Sequence, residues 1–350
     1  MILTVEHTTA YSYDRPMRQL VQSLRLFPSI CDSQTVLDWD VSVEGFADLG
    51  QMPSVSSDQS QQMEEAAGGW LAQPQSNGSA SGAGAQSQAP GQMAQSMGGR
   101  HQSQTAQAFS NPRSSTQKPL ARGINAGIGA AFRDGAGDRV ETASVRGPVS
   151  RVVITVSGRV ETRDTSGILR GHRETAVPGL YLRSTRATEA DIALTELGRE
   201  VIARQQGKTP LSLAHALSSE VSERIAYAPG ETSASTTAAE ALARGKGVCQ
   251  DHAHALISLA HLSGIPARYV VGYLATEGAI GEASHAWAEL FLDGFGWIGF
   301  DPANRCCPDQ NYIRLCSGYD AQDAAPIRGV ASGAEAEHLA VDVAVRRLPA

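Results

Sequence analysis

Long basic runs are missing from this chain. Acidic side chains (36) outnumber Lys and Arg (29), for a formal charge of −7. Such a balance attracts no polyanion at long range, so neither nucleic acid nor an anionic membrane is expected as a partner. Long apolar runs are missing as well: none approaches the roughly 18 residues that a membrane span requires. The opening stretch MILTVEHTTAYSYD lacks the basic region and apolar core of a secretory leader, which points to a cytoplasmic protein. Cysteine is scarce and odd in number, five in 350 residues without framework spacing. Reduced thiols fit this better than a disulfide scaffold. Cys306, Cys307 and Cys316 lack the paired spacings of a zinc site, and His252 and His254, two apart on a helix, cannot face one ion. Acidic loops of calcium-binding type are also missing, so no cofactor is expected. What is present is a 41% hydrophobic content, enough to bury a core in two or three domains.

Segments 2–13, 19–27 and 36–43 are β-branched or aromatic with partial alternation, separated by Pro16, Pro28 and a polar CDSQ, and read as a small β region. From about Gln51 to Gly137 the composition turns to Gly, Ser, Gln and Ala, too poor in large apolar side chains to offset the entropy of ordering, which predicts disorder. The glycines of GINAGIGAAF follow no strand and read as linker rather than a phosphate-cradling loop. Strand character returns over 150–164, where Val152, Ile154 and Val156 alternate. The predicted division is therefore an N-terminal β domain (1–50 and 138–185) broken by the 51–137 insertion, a helix-containing domain (186–320) and a C-terminal β-strand tail (321–350). Two helices lead that second domain, the first with a candidate N-cap at Thr188. A short third starts at Thr237, with Glu240 completing a capping box, and ends at Gly245.

In GKGVCQDHAHALISLAHLSGIP, Leu256, Leu259, Ala260 and Leu262 recur at helical intervals, and Gly264 with Pro266 stops the helix. Cys249 therefore sits in the first turn, where unpaired amides and the positive end of the helix dipole favour a thiolate and can stabilise an oxyanion. SHAWAELFLDGFGWIGFDP reads as a hairpin about Asp293, which would make His285 and Asp301 direct cross-strand neighbours with Trp287 and Glu289 on the same face. An imidazole oriented by a carboxylate supplies the base and orienter that a thiol nucleophile needs, and the Trp287 indole would shield it from water. Supporting candidates are Gln250, beside the thiol, and Tyr227 of IAYAPG, as a second oxyanion donor or a packed aromatic. Asp251 and His252 are expected to cap and pack the first turn, Trp297 and Phe300 to pack the hairpin.

The order of Cys in GVCQDHA, His in SHAWAE and Asp in GWIGFDP resembles the transglutaminase-like superfamily over about Leu211 to Gly318. The N-terminal β region is similar to the bacterial transglutaminase-like N-terminal region, and GYDAQDAAPIRGV with EHLAVDVAVRRL is similar to that subfamily's ending. The resemblance implies an α+β fold: a papain-like core of helices packed on an antiparallel sheet behind a small all-β domain. It implies Cys249 as nucleophile, His285 as general base and acid, and Asp301 as orienting residue. The expected activity is acyl transfer from a peptide or carboxamide bond of a protein or peptide substrate through a cysteine thioester. Hydrolysis leads, with glutamine-to-amine transfer and an inactive binding module on the same fold as alternatives.

Overall fold

The computed structural model describes residues 1–47, 102–103, 126–276, 284–333 and 336–348. Its first unit is a sheet built on two long strands, β1 (Ile2–Leu24) and β6 (Arg139–Thr162), which run antiparallel with register breaks between Ser12 and Gln19. The two N-terminal segments expected as separate strands are one strand. Pro16 lies at the break, where a residue without an amide hydrogen is tolerated. β2 (Gln34–Phe46) lies on the outer edge of β6. Short strands β3 (Gln102–Ser103), β4 (Ala126–Ile128) and β5 (Phe132–Arg133) add to the same assembly. Most of the segment expected to be disordered lies outside the described residues. Its described end, 126–137, includes β4 and β5, so part of GINAGIGAAF pairs with β6 instead of serving as plain linker.

The tail of the chain returns to this sheet: β13 (Ile327–Ser332) pairs with the second half of β1 and β14 (Glu337–Arg347) with the first. Alternation drives the packing. Leu3, Val5, Tyr11 and Tyr13 of β1 and Val152, Ile154 and Val156 of β6 are buried while intervening residues face outward.

The second unit carries the helices. α1 (Ile192–Arg204) is capped by Asp191, whose Oδ1 accepts from the Leu194 amide at 2.8 Å. Thr188, the expected cap, instead folds a turn upstream, accepting from the Thr185 amide at 3.0 Å. α2 (Pro210–Arg224) starts behind Thr209 with proline in its first turn, where the missing amide hydrogen costs nothing. β7 (Ala226–Tyr227) follows. α3 (Ala238–Arg244) has the predicted reciprocal cap between Thr237 and Glu240, and Gly245 ends it in the left-handed region at φ 65°. β8 (Lys246–Gly247) pairs in parallel with β7 and delivers the chain to α4 (Cys249–Leu262).

α4 is buried from Cys249 to Ala260. It packs on an antiparallel sheet ordered β11-β10-β9-β12, from β9 (Ala267–Leu274), β10 (Ser284–Leu292), β11 (Gly296–Phe300) and β12 (Tyr312–Gly318). Ala253, Leu256, Ile257 and Ala260 of the helix share one core with Val271, Ala286, Ala288 and Leu290 of the sheet. The fold is α+β, a papain-like arrangement of helices on an antiparallel sheet beside a strand domain.

Buried charges tie the two units together. Glu289 accepts from Arg268 Nε at 2.7 Å and from Arg314 Nε at 2.9 Å, and Arg314 also reaches Asp138 at 2.9 Å and Ser29 Oγ at 2.6 Å. Burial opposes the Glu289 charge, but the two guanidinium groups overcome it and hold the carboxyl down at about 2. Arg268 also lies 4.0 Å from the Trp297 ring, so that indole packs against more than its own hairpin.

Candidate active site

The first turn of α4 is fastened from two sides. Asp251 Oδ2 accepts from the Val248 amide at 2.8 Å and from Thr232 Oγ1 at 2.6 Å, which caps the helix as expected and anchors the preceding loop. Gly247 is required there, because a Cβ would come within 2.7 Å of the Asp251 side chain. The Asp251 and His252 amides both close on the Val248 carbonyl, at 3.0 and 3.1 Å. The amides of Cys249 and Gln250 precede any intrahelical acceptor and are oriented as helix-start donors.

His285 stands at the start of β10, opposite Gly272 of β9. The hairpin pairs Leu292 with Gly296 and Ala288 with Phe300, so it is centred on Gly294 rather than Asp293. His285 and Asp301 are consequently not direct cross-strand partners, as the two-residue register offset moves Asp301 toward Trp287. The offset is even, so the two side chains stay on one face, and His285 Nε2 donates to Asp301 Oδ2 at 2.6 Å. Cys249 lies close enough to act on the His285 ring and favours its charged form. The structure thus brings together all three principal residues, at 6%, 6% and 0% exposure for Cys249, His285 and Asp301.

Burial works against a charged His285, but Asp301 and Cys249, through their charges and hydrogen bonds, outweigh it and lift the ring from 6.5 to about 10. Burial likewise pushes Asp301 upward. The His285 charge and hydrogen bonds from His285, Asn304 and Tyr312 win, and the carboxyl sits below its ordinary range. An imidazolium held by a carboxylate beside a sulfur is an arrangement that can support a thiolate without an external base.

Asn304 and Tyr312 did not emerge from the sequence. Asn304 Nδ2 donates to Asp301 Oδ2 at 2.8 Å and lies 3.2 Å from His285 Nε2, while its amide reaches Asp301 Oδ1 at 3.2 Å. Tyr312 donates to Asp301 Oδ2 at 2.7 Å from β12. Nothing local in the sequence indicated that Asn304 would fold back or that β12 would pass behind the carboxylate.

The secondary candidates divide. Trp287 stacks on His285, with centroids 6.4 Å apart and an interplanar angle of 23°, and Tyr312 closes edge-on against both rings. Gly272 makes room for it, since a Cβ there would meet the indole at 2.7 Å. Gln250 is fully buried and donates to the Ala234 carbonyl at 3.2 Å, with Oε1 unpartnered among the described residues. Tyr227 is 46% exposed with its ring beside His252, so it is not a packed core aromatic. His252 bonds two carbonyls and His254 accepts from the Ala321 amide at 3.1 Å. No cluster of three or more metal-ligating side chains occurs among the described residues. All five cysteines are free: Cys316 is buried, Cys307 half-buried and Cys306 exposed beside Tyr312. Among the described residues no helix is long and apolar enough to cross a membrane.

Residues 196–302 match the family described as the transglutaminase-like superfamily, and residues 3–52 match the bacterial transglutaminase-like N-terminal region. Over these two segments the chain is similar to the transglutaminase-like superfamily. An uncharacterized protein of Mycobacterium leprae is 28% identical over 226 residues, 61% of this chain and 79% of that protein. An uncharacterized protein of Mycobacterium tuberculosis is 36% identical over 144 residues, 38% of this chain, and the match spans 46% of its length. Among solved structures, a candidate cysteine protease from Cytophaga hutchinsonii superposes with a TM-score of 0.58 at 16% identity, covering 100% of this chain and 92% of that one. The likeness shows that this chain shares its fold with that protein.

Proposed function

We propose that this transglutaminase-like protein is a cysteine enzyme of acyl transfer, acting on peptide or carboxamide bonds with water as the usual acceptor: a peptidase or amidase. The observation that carries this reading is the 2.6 Å hydrogen bond that His285 donates to Asp301, with the charged form of the ring favoured by Asp301 and by Cys249 at the start of α4.

In the first half-reaction the Cys249 thiolate adds to the substrate carbonyl carbon, and the electron pair of the C=O moves onto oxygen. The Cys249 and Gln250 amides are donors for that oxyanion, a contact type worth about 10²–10³ in rate per donor. As the carbonyl re-forms, the C–N bond breaks and His285 gives its proton to the departing nitrogen, leaving a thioester and a neutral ring that Asp301 still orients. In the second half-reaction His285 takes a proton from water as its oxygen attacks the thioester. Collapse releases the carboxylic acid and restores the thiolate and imidazolium. Stacking of Trp287 and Tyr312 limits bulk water at the ring. Water at bulk concentration outcompetes an amine unless a pocket is built against it, which favours hydrolysis. Five free thiols accord with a reducing compartment such as the cytoplasm.

The test is incubation of the protein and Cys249→Ala with a peptide library, with and without a labelled primary amine. Cleavage or deamidation lost in the variant is the expected result. Incorporation of the label, lost in the variant, would identify a glutamine-to-amine transferase instead, and equal outcomes in both proteins would remove enzymatic activity and leave a binding module.

A further inference from the structure

His252 lies three residues beyond Cys249, on the same side of the first turn of α4. It is buried, with Nδ1 2.8 Å from the Val248 carbonyl and Nε2 2.9 Å from the Ile225 carbonyl. A carbonyl oxygen only accepts. A neutral imidazole has one N–H, so it would press a lone pair against one of these oxygens, whereas an imidazolium satisfies both. Two other buried histidines meet the opposite situation. His7 faces the hydroxyls of Tyr273 and Thr9, which can donate, and His254 receives the Ala321 amide.

The neighbouring carboxylate is one that a cation would satisfy. Asp251 is fully buried, and its Oδ1 has no hydrogen-bond partner among the described residues. Burial pushes its carboxyl upward, opposed by hydrogen bonds from Thr232 and the Val248 amide and then by the positive groups His252 and Arg244. Titratable and charged groups at this turn include Cys249 and Asp251 on the same helix, Arg244 at the end of α3, which acts on Asp251, and Tyr227 on β7, whose ring centroid is 6.3 Å from that of His252.

We propose that His252 is a second imidazolium of the site, held between the Val248 and Ile225 carbonyls, and that it acts as a positioning residue for Cys249. One grip fixes the carbonyl at which α4 begins; the other ties that point to the end of α2. Its charge sits at the same first turn as the buried Asp251 carboxylate, on which it acts, and offsets the repulsion that carboxylate would exert on a thiolate at Cys249. His285 then has one task, proton transfer, and the fixed charge of the first turn does not leave with the proton. This inference rests on Cys249 being the nucleophile.

Two measurements on the full chain test it. Nitrogen-15 spectra of the His252 ring, assigned through backbone connectivities, are expected to show both nitrogens protonated at pH 7; a neutral tautomer there would overturn the proposal. Alkylation of Cys249 by iodoacetamide is then followed against pH in the wild type and in His252→Gln, which keeps an N–H donor without the charge. The expected result is a rise of about one pH unit in the midpoint, or roughly tenfold slower alkylation below it. An unchanged midpoint with a lower rate at every pH would mark a merely structural residue and overturn the proposal. Should His252→Gln not fold, the wild-type nitrogen spectra alone decide. Alkylation needs no acyl substrate, so a protein that turns over no peptide can still pass or fail this test. Failure of the nucleophile assignment would show separately, as a wild-type Cys249 that alkylates no faster than the buried Cys316.

Discussion

Replacing Asp301 by Asn removes one charge and almost no volume, and it tests how much of the site rests on that charge. The lift of His285 from 6.5 to about 10 corresponds to roughly 5 kcal/mol in favour of the protonated ring, net of the burial that opposes it. Asp301 stands ahead of Cys249 among the charges responsible. Its removal is therefore expected to lower the His285 midpoint more than any other single change. In Asp301→Asn the amide oxygen still accepts from His285 Nε2, while Tyr312 and Asn304 lose a carboxylate acceptor. The His285 midpoint, followed by NMR of the ring between pH 4 and pH 11, is expected to fall from about 10 toward its ordinary 6.5. Stability follows the same linkage. A raised histidine contributes its full stabilisation below 6.5 and loses it as pH rises through about 10. The stability gap between wild type and variant, read from urea unfolding, should be widest near pH 6 and shrink toward pH 10. A midpoint that stays near 10 in Asp301→Asn would refute the reasoning, because the cation would then owe its stability to something other than this carboxylate.

Gly272→Ala should cost about 2–3 kcal/mol in urea unfolding, since the new methyl would sit 2.0 Å from the Ile313 carbonyl and 2.7 Å from the Trp287 indole. Loss of Trp287 fluorescence shielding would accompany it, and an unperturbed spectrum would contradict the packing described. Glu289→Gln should be more severe, about 3–5 kcal/mol, because Arg268 and Arg314 would remain buried without their shared carboxylate. In the wild type the Glu289 contribution is present above its ordinary 4.5 and is lost as pH falls through about 2, so the gap to Glu289→Gln should close only in strong acid.

The parts of the site that were legible in the sequence rest on local chemistry. Thr237 with Glu240, the left-handed Gly245, and Gly264 before Pro266 mark where helices start and stop within a few residues, so Cys249 could be placed at a helix tip. The hairpin was legible in kind but not in register. Its loop holds three residues, Asp293 to Phe295, and centring it one residue early moved every pair by two. Face is preserved under an even shift, which is why His285 and Asp301 still meet. The cap of α1 was misplaced because Thr188 and Asp191 are both good caps, and which one serves depends on how the chain approaches the helix. Pro16 looked like a boundary because a bulge inside a long strand has no local signature. Least legible were contacts between distant segments: Asp138 with Arg314 across 176 residues, and Tyr312 and Asn304 around Asp301. No periodicity encodes those, as they follow from how two sheets and a helix layer meet.

The most direct test of the central claim is the pH 5 reactivity of the five cysteines toward iodoacetamide, read by peptide mass mapping in wild type and His285→Ala. Burial raises the exposed-side Cys306, the half-buried Cys307 and the fully buried Cys316 above the ordinary thiol range, so at pH 5 they should be nearly inert. Cys249, although only 6% exposed, should be modified first in the wild type and lose that lead in His285→Ala. A Cys249 that reacts no faster than Cys306 at pH 5, with or without His285, would contradict the thiolate and imidazolium pair.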